Sequence, residues 1–114
     1  MLQIFSMPCG WLEFDSKLFF PNRQKGQMIT IPVPSYLITH PKGNVVFDTG
    51  VHCQVMQDPA ARLGVAMANT FVSRTKPGEE IVGQLAQFKL TANDIKYVVN
   101  SHFHFDHCGG NEFF

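Results

Sequence analysis

The segment Ile31-Pro32-Val33-Pro34-Ser35-Tyr36-Leu37-Ile38-Thr39-His40 constrains the fold of this chain more than any other. Its two prolines remove backbone donors and bias their neighbours towards extended conformations, so a helix is blocked here. The apolar and β-branched run from Ser35 to His40 then reads as a strong strand. Pro41-Lys42-Gly43-Asn44 supplies a turn, and Val45-Val46-Phe47-Asp48 returns the chain as the second arm of a hairpin. That second arm is apolar on both faces until Asp48, which predicts a central strand covered on both sides. A carboxylate at the end of such a strand, followed by Thr49-Gly50, is conspicuous.

The rest of the chain reads as alternating short elements. Leu2 to Met7 is expected to be a strand, ended by a Pro8-Cys9-Gly10 turn, with Trp11 to Phe14 as its hairpin partner. Phe19 and Phe20 precede a polar loop, Pro21 to Gln27, and either cap the core or line a pocket, with the core favoured. A short helix behind Asp58 as N-cap is expected within Pro59 to Ala68. A second helix starts around Thr75-Lys76-Pro77-Gly78-Glu79-Glu80 and runs to about Phe88, because Ile81, Val82, Leu85 and Phe88 recur at helical spacing. Thr91-Ala92-Asn93-Asp94 makes a capped turn, and the strand Ile95 to Asn100 delivers the chain into Ser101-His102.

At 114 residues, 45% of them apolar and 16% charged, the chain has the composition of one folded domain. Lys+Arg and Asp+Glu both number 9, so there is no basic stripe for nucleic acid and no polybasic anchor for an anionic membrane. Pro8, Gly10 and Glu13 break the N-terminus before a signal-peptide core can form, and no apolar run approaches the roughly 18 residues of a membrane span. A soluble, cytoplasmic protein is expected. The three cysteines, Cys9, Cys53 and Cys108, lack C-x-x-C spacing and fit free thiols in a reducing compartment. Cys108 follows His107 directly and is either a small residue packed behind a loop or, less simply, a metal ligand.

The chemistry is concentrated at His102-Phe103-His104-Phe105-Asp106-His107, immediately after an apolar strand. His102 and His104 are two apart, so an extended backbone projects both imidazoles to one side, where they can hold one metal ion. Asp106 and His107 follow in the turn and can face a neighbouring ion. The alternative is a set of surface histidines on a loop. Four potential ligands together, with Phe103 and Phe105 interleaved to anchor the loop in the core, favour the metal reading. Gly109-Gly110 permits tight turning and close backbone approach behind it.

His102-x-His104-x-Asp106-His107-x-Gly109-Gly110, after the strand Lys96 to Ser101, resembles the H-x-H-x-D-H signature of the metallo-β-lactamase superfamily. Val45-Val46-Phe47-Asp48-Thr49-Gly50 resembles that superfamily's Asp-Thr/Ser-Gly strand end, and the two motifs occur in the same order. Within the superfamily, Ile31 to Gly43 with the Asp58-Pro59 segment looks most like the N-acyl homoserine lactonases that degrade quorum-sensing signals. The resemblance implies a mixed α/β (α+β) fold, the N-terminal half of an αββα metallo-β-lactamase sandwich. It also implies two Zn ions, a bridging hydroxide as nucleophile, and a small lactone or ester as substrate.

On the same resemblance, His102 and His104 would ligate the first metal, and Asp106 and His107 the second. Asp106 would also shuttle the proton to the leaving alkoxide, and Asp48 would hydrogen-bond a ligand histidine from behind. Asp48 read on its own is as well a turn-capping aspartate. Related hydrolases of thioesters, phosphodiesters or organophosphates remain alternatives. The family's further histidine, bridging aspartate and last histidine have no counterpart in residues 1–114. The chain is therefore expected to be a truncated domain ending just after the motif, inactive alone and able to bind at most one metal weakly. In full-length form it is expected to open lactones and to be able to form a homodimer. His40 and His52 lie outside any matching motif and are expected to be structural or exposed.

Overall fold

A computed structural model describes all of residues 1–114. Five strands form one sheet: β1 (Gln3–Asp15), β2 (Met28–Thr39), β3 (Asn44–Phe47), β4 (Val72–Ser73) and β5 (Ile95–Val99), in the order β4-β1-β2-β3-β5. β1 and β2 pair antiparallel from Gln3↔Thr39 to Asp15↔Met28, β2 and β3 pair antiparallel, and β3 and β5 pair in parallel. A parallel neighbour requires a crossover, and the segment between β3 and β5 provides it with three helices. These are α1 (Pro59–Leu63), α2 (Val65–Thr70) and α3 (Ile81–Gln87). A fourth, α4 (Phe105–Cys108), follows β5.

The predicted hairpin is present, with the chain reversing over Pro41–Gly43, where Gly43 adopts φ 140°. The Asp58 cap is also present, its carboxylate accepting from the Ala61 N–H at 3.2 Å. Gly64, at φ 85°, divides the helical stretch behind it into α1 and α2. Thr91 to Asp94 closes the expected capping box before β5. α3 starts later than expected, at Ile81, because Glu79 and Glu80 bend back to accept from the Lys76 and Gly78 N–H groups at 2.7 and 2.9 Å.

The N-terminal hairpin does not exist. β1 runs through Pro8-Cys9-Gly10 as one strand with a register shift between Pro8 and Trp11. Gly10 takes φ 138° there, and the Pro8 carbonyl freed by the irregularity accepts from Gln84 Nε2 of α3 at 2.7 Å. A bulge rather than a turn results because β2 offers a continuous partner across the site.

The core lies on one face of the sheet. Met7, Cys9, Leu37 and Val46 pack with Ile81 and Leu85 of α3. Leu12, Phe14 and Val33 pack with Val51 and Val55 of the segment after β3. The opposite face carries the rows Ile4, Ile38, Val45, Tyr97 and Ser6, Tyr36, Phe47, Val99, with Ile4 63% and Tyr97 60% exposed. β3 is thus interior in the sheet but covered on one face only, with Val46 buried and Val45 and Phe47 half-buried. Phe19 and Phe20 are 59% and 51% exposed, so neither belongs to the core. All three cysteines are free thiols, and no helix is long and apolar enough to cross a membrane.

Candidate metal centre

The site forms where the parallel strands β3 and β5 end side by side, a natural crevice at strand C-termini. Asp48 leaves β3 with φ 61°, a left-handed conformation that aspartate tolerates better than most residues. Its own N–H donates to the Val99 carbonyl at 2.8 Å, and the Thr49 N–H donates to the His107 carbonyl at 2.9 Å. The kink turns the Asp48 side chain across the end of β5 instead of along it.

There the carboxylate is 4% exposed and collects three donors. The Ser101 N–H reaches Oδ1 at 2.7 Å, the Ser101 hydroxyl reaches Oδ2 at 2.7 Å, and His107 Nδ1 reaches Oδ2 at 2.8 Å. Burial pushes the Asp48 carboxyl upward, but these hydrogen bonds and the neighbouring imidazole outweigh it and hold the group below the ordinary carboxylate range. Asp48 is therefore an ionised acceptor, and His107 donates to it from Nδ1.

Three imidazoles gather beside this carboxylate. The His102 and His107 rings are 4.0 Å apart at their centroids, and the His102 and His104 rings 4.6 Å apart. His107 Nε2 stands 3.4 Å from Asp106 Oδ2. That contact sets an imidazole nitrogen against a carboxylate oxygen, two atoms that can both ligate a cation. A shared cation is what such a pair suits, so the donor chemistry fits a divalent metal with nitrogen and oxygen ligands. No three His, Cys, Asp or Glu side chains converge closely enough to hold an ion among themselves. The four residues are neighbours, not yet a closed ligand cage.

The loop is fixed from behind by Thr49 of the strand-end motif and by Asn100 and Asn111, which the sequence did not single out. Thr49 Oγ1 donates to Asn111 Oδ1 at 2.8 Å and accepts from the Gly110 N–H at 3.0 Å. Asn111 Nδ2 donates to Asn100 Oδ1 at 2.8 Å, while Asn100 Nδ2 donates to the His107 carbonyl at 3.1 Å. Gly109 and Gly110 fit their expected role, since a Cβ on Gly109 would lie 2.4 Å from the His52 nitrogen and one on Gly110 2.8 Å from the Thr49 carbonyl oxygen. The expected anchoring of the loop by two phenylalanines is half right. Phe105 packs against Phe71 at 5.7 Å, but Phe103 is 80% exposed, because the chain at 103 is already leaving the strand.

The remaining candidates stand apart. Cys108 Sγ faces the Phe103 and His104 carbonyls at 3.5 and 3.4 Å, the position of a thiol capping its own turn. His40 is exposed and accepts from the Lys42 N–H at 3.1 Å. His52 is 9% exposed, accepts from the Gln54 N–H on Nδ1 at 2.9 Å and presents Nε2 to Glu112, with Phe113 stacked on its ring. Beside the site opens a cavity of about 480 Å³, walled by Phe14, Phe19, Phe71 and Phe105 and bordered by His104 and Asp106.

The chain is similar to known N-acyl homoserine lactonases. The chain is 32% identical over 108 residues to the N-acyl homoserine lactonase AttM of Azorhizobium caulinodans, covering 95% of this chain and 41% of that protein. It is 25% identical over 109 residues to an N-acyl homoserine lactonase of Bacillus thuringiensis, covering 44% of it. A solved N-acyl homoserine lactone hydrolase, with the product N-hexanoyl-L-homoserine bound at its catalytic metal centre, superposes with a TM-score of 0.85 at 25% identity. That match covers 97% of this chain and 44% of the other. The chain thus spans about two-fifths of the length of these relatives. The metallo-beta-lactamase superfamily model matches residues 29–114, which include all of β2 but Met28, the Asp48 strand end and the whole histidine cluster, and the chain belongs to that superfamily.

Proposed function

We propose that residues 102–107 supply part of a two-zinc centre in a hydrolase that opens the ring of N-acyl homoserine lactones. His102 and His104 serve one ion, Asp106 and His107 the other, and Asp48 holds His107 from behind. The observation that carries this reading is the facing pair of candidate ligand atoms, His107 Nε2 and Asp106 Oδ2 at 3.4 Å, beside two further imidazoles. Divalent ions at such donors lower the pKa of bound water towards about 7 and polarise an ester carbonyl.

The chain's own residues account for the rest. Asp48 fixes His107 so that Nε2 is free to ligate. Asp106, on the wall of the apolar cavity, carries the proton towards the departing ring oxygen. The cavity accepts the acyl tail, because its largely aromatic and aliphatic lining offers apolar burial with no Lys, Arg, Asp or Glu besides Arg62 and Asp106. The lactonase names of the relatives support lactones over other esters.

Catalytic zinc takes about three protein ligands per ion, so two ions need more donors than these four residues provide. The 114-residue chain alone is therefore inactive, and the activity belongs to a longer assembly of ligands. Ring opening is to be followed by proton release, both for the 114-residue chain and for a chimera in which it replaces the matching segment of the Azorhizobium caulinodans lactonase. The reading predicts zinc-dependent opening by the chimera, none by the short chain, and loss in the chimera on His102→Ala. A folded, zinc-loaded chimera that cleaves simple esters or phosphodiesters but no lactone would overturn the substrate assignment.

A further inference from the structure

We propose that Ser101 is a positioning residue whose hydroxyl relays the Asp48 carboxylate to His102, so that one buried anion sets the tautomer of two imidazoles. The inference rests on the metal reading above for its use, but not for its chemistry.

The argument is an account of protons. Ser101 Oγ lies 2.7 Å from Asp48 Oδ2 and 2.9 Å from His102 Nδ1. A hydroxyl has one proton to donate and lone pairs with which to accept. Asp48 Oδ2 already takes the Nδ1 proton of His107 at 2.8 Å and has none of its own to give. If the serine proton pointed at His102, the 2.7 Å contact would oppose a lone pair to a buried carboxylate, exchanging a charge-assisted bond for a neutral one. The favoured arrangement has the hydroxyl donating to Asp48 and accepting from His102, which puts the His102 proton on Nδ1. Both His102 and His107 then direct Nε2 away from Asp48, with the two rings 4.0 Å apart. Carboxylates and carbonyls behind histidine ligands are known to fix ring orientation in this way. Here a single aspartate does so twice, once directly and once through a hydroxyl.

The position of Ser101 suits it to the task. Its backbone N–H is held by Asp48 Oδ1 at 2.7 Å, independently of its side chain. Replacing the hydroxyl therefore leaves the chain path anchored, and the side-chain role can be separated from the backbone role.

Long-range proton–nitrogen NMR of the imidazoles in the metal-free 114-residue protein tests this directly. The wild type is expected to show His102 and His107 both protonated on Nδ1. Ser101→Ala should move His102 towards the Nε2–H form that free imidazole side chains favour, while leaving His107 unchanged as evidence that Asp48 is still in place. Ser101→Thr should restore the wild-type pattern, and Asp48→Asn should move both rings. Zinc affinity by chelator competition should fall about 10-fold in Ser101→Ala and recover in Ser101→Thr. A wild-type His102 protonated on Nε2, or a His102 that keeps its Nδ1 proton in Ser101→Ala, would overturn the relay. Tautomers that shift as expected in a protein that binds no zinc would uphold the relay and overturn the metal reading instead.

Discussion

The Asp48 carboxylate accepts the Nδ1 proton of His107 at 2.8 Å across the ends of two parallel strands, from a backbone turned to φ 61°. That conformation costs about 1 kcal/mol for a residue with a side chain, and the gain is a carboxylate directed at Ser101 and His107 at once. Removing it strands the donors that converge there. Asp48→Ala should lower the unfolding free energy by about 2–3 kcal/mol, since buried donors lose an ionised partner. Urea denaturation of the variant against wild type measures this, and a loss within the noise of a surface substitution would show that the three hydrogen bonds do not hold the strand ends together.

Close backbone approach behind the histidine loop makes a second prediction. Gly109 lies so near the His52 nitrogen and the Gly50 carbonyl that a methyl group would sit 2.4 and 2.6 Å from them. Gly64 has φ 85° but open space around it. Gly109→Ala should cost about 2–4 kcal/mol through displaced backbone, whereas Gly64→Ala should cost only about 1 kcal/mol through its dihedral. Thermal melts of the two variants give the ordering, and equal costs would mean that the loop relaxes freely.

Burial pushes the Cys9 thiol from its ordinary 9.0 up to about 12, and the nearby Ser35 hydroxyl offsets this only in part. A native-state thiol reagent should therefore modify Cys53 and Cys108, both half-buried, well before Cys9. The unfolded chain ionises Cys9 near 9.0 while the folded chain holds the proton to about 12. The contribution of Cys9 to stability is thus complete below pH 9.0 and is lost as pH rises through that window, by up to about 1.4 kcal/mol per pH unit. The urea midpoint of wild type should fall across this range more steeply than that of Cys9→Ala, and parallel slopes would contradict the assignment.

The sequence made the hairpin of β2 and β3 and the histidine cluster legible because both signals are local. Proline-guarded apolar runs and four ligand-type residues within 102–107 need no tertiary information to stand out. β1 was opaque for the converse reason. Pro8-Cys9-Gly10 has the composition of a turn, and only pairing with β2, more than twenty residues away in sequence, converts it into a bulge stabilised by Gln84. The two-residue β4 gives no periodic signal at all. Phe103 and Phe105 look equivalent in sequence, yet the end of β5 sends one to solvent and the other onto Phe71. Ser101, Asn100 and Asn111 are ordinary polar residues until the parallel strand ends bring them against Asp48, Thr49 and His107. The open face of the sheet was likewise hidden, because Val45 and Phe47 are as apolar as the buried Val46 between them.

Cobalt(II) titration of the 114-residue protein, followed by visible absorption, tests the central claim most directly, since the d–d bands report nitrogen and oxygen ligation without requiring turnover. The account predicts weak, saturable bands that vanish in the His102→Ala/His104→Ala double variant while its circular dichroism stays that of wild type. Absence of any cobalt spectrum, or bands of undiminished strength in the folded double variant, would contradict it.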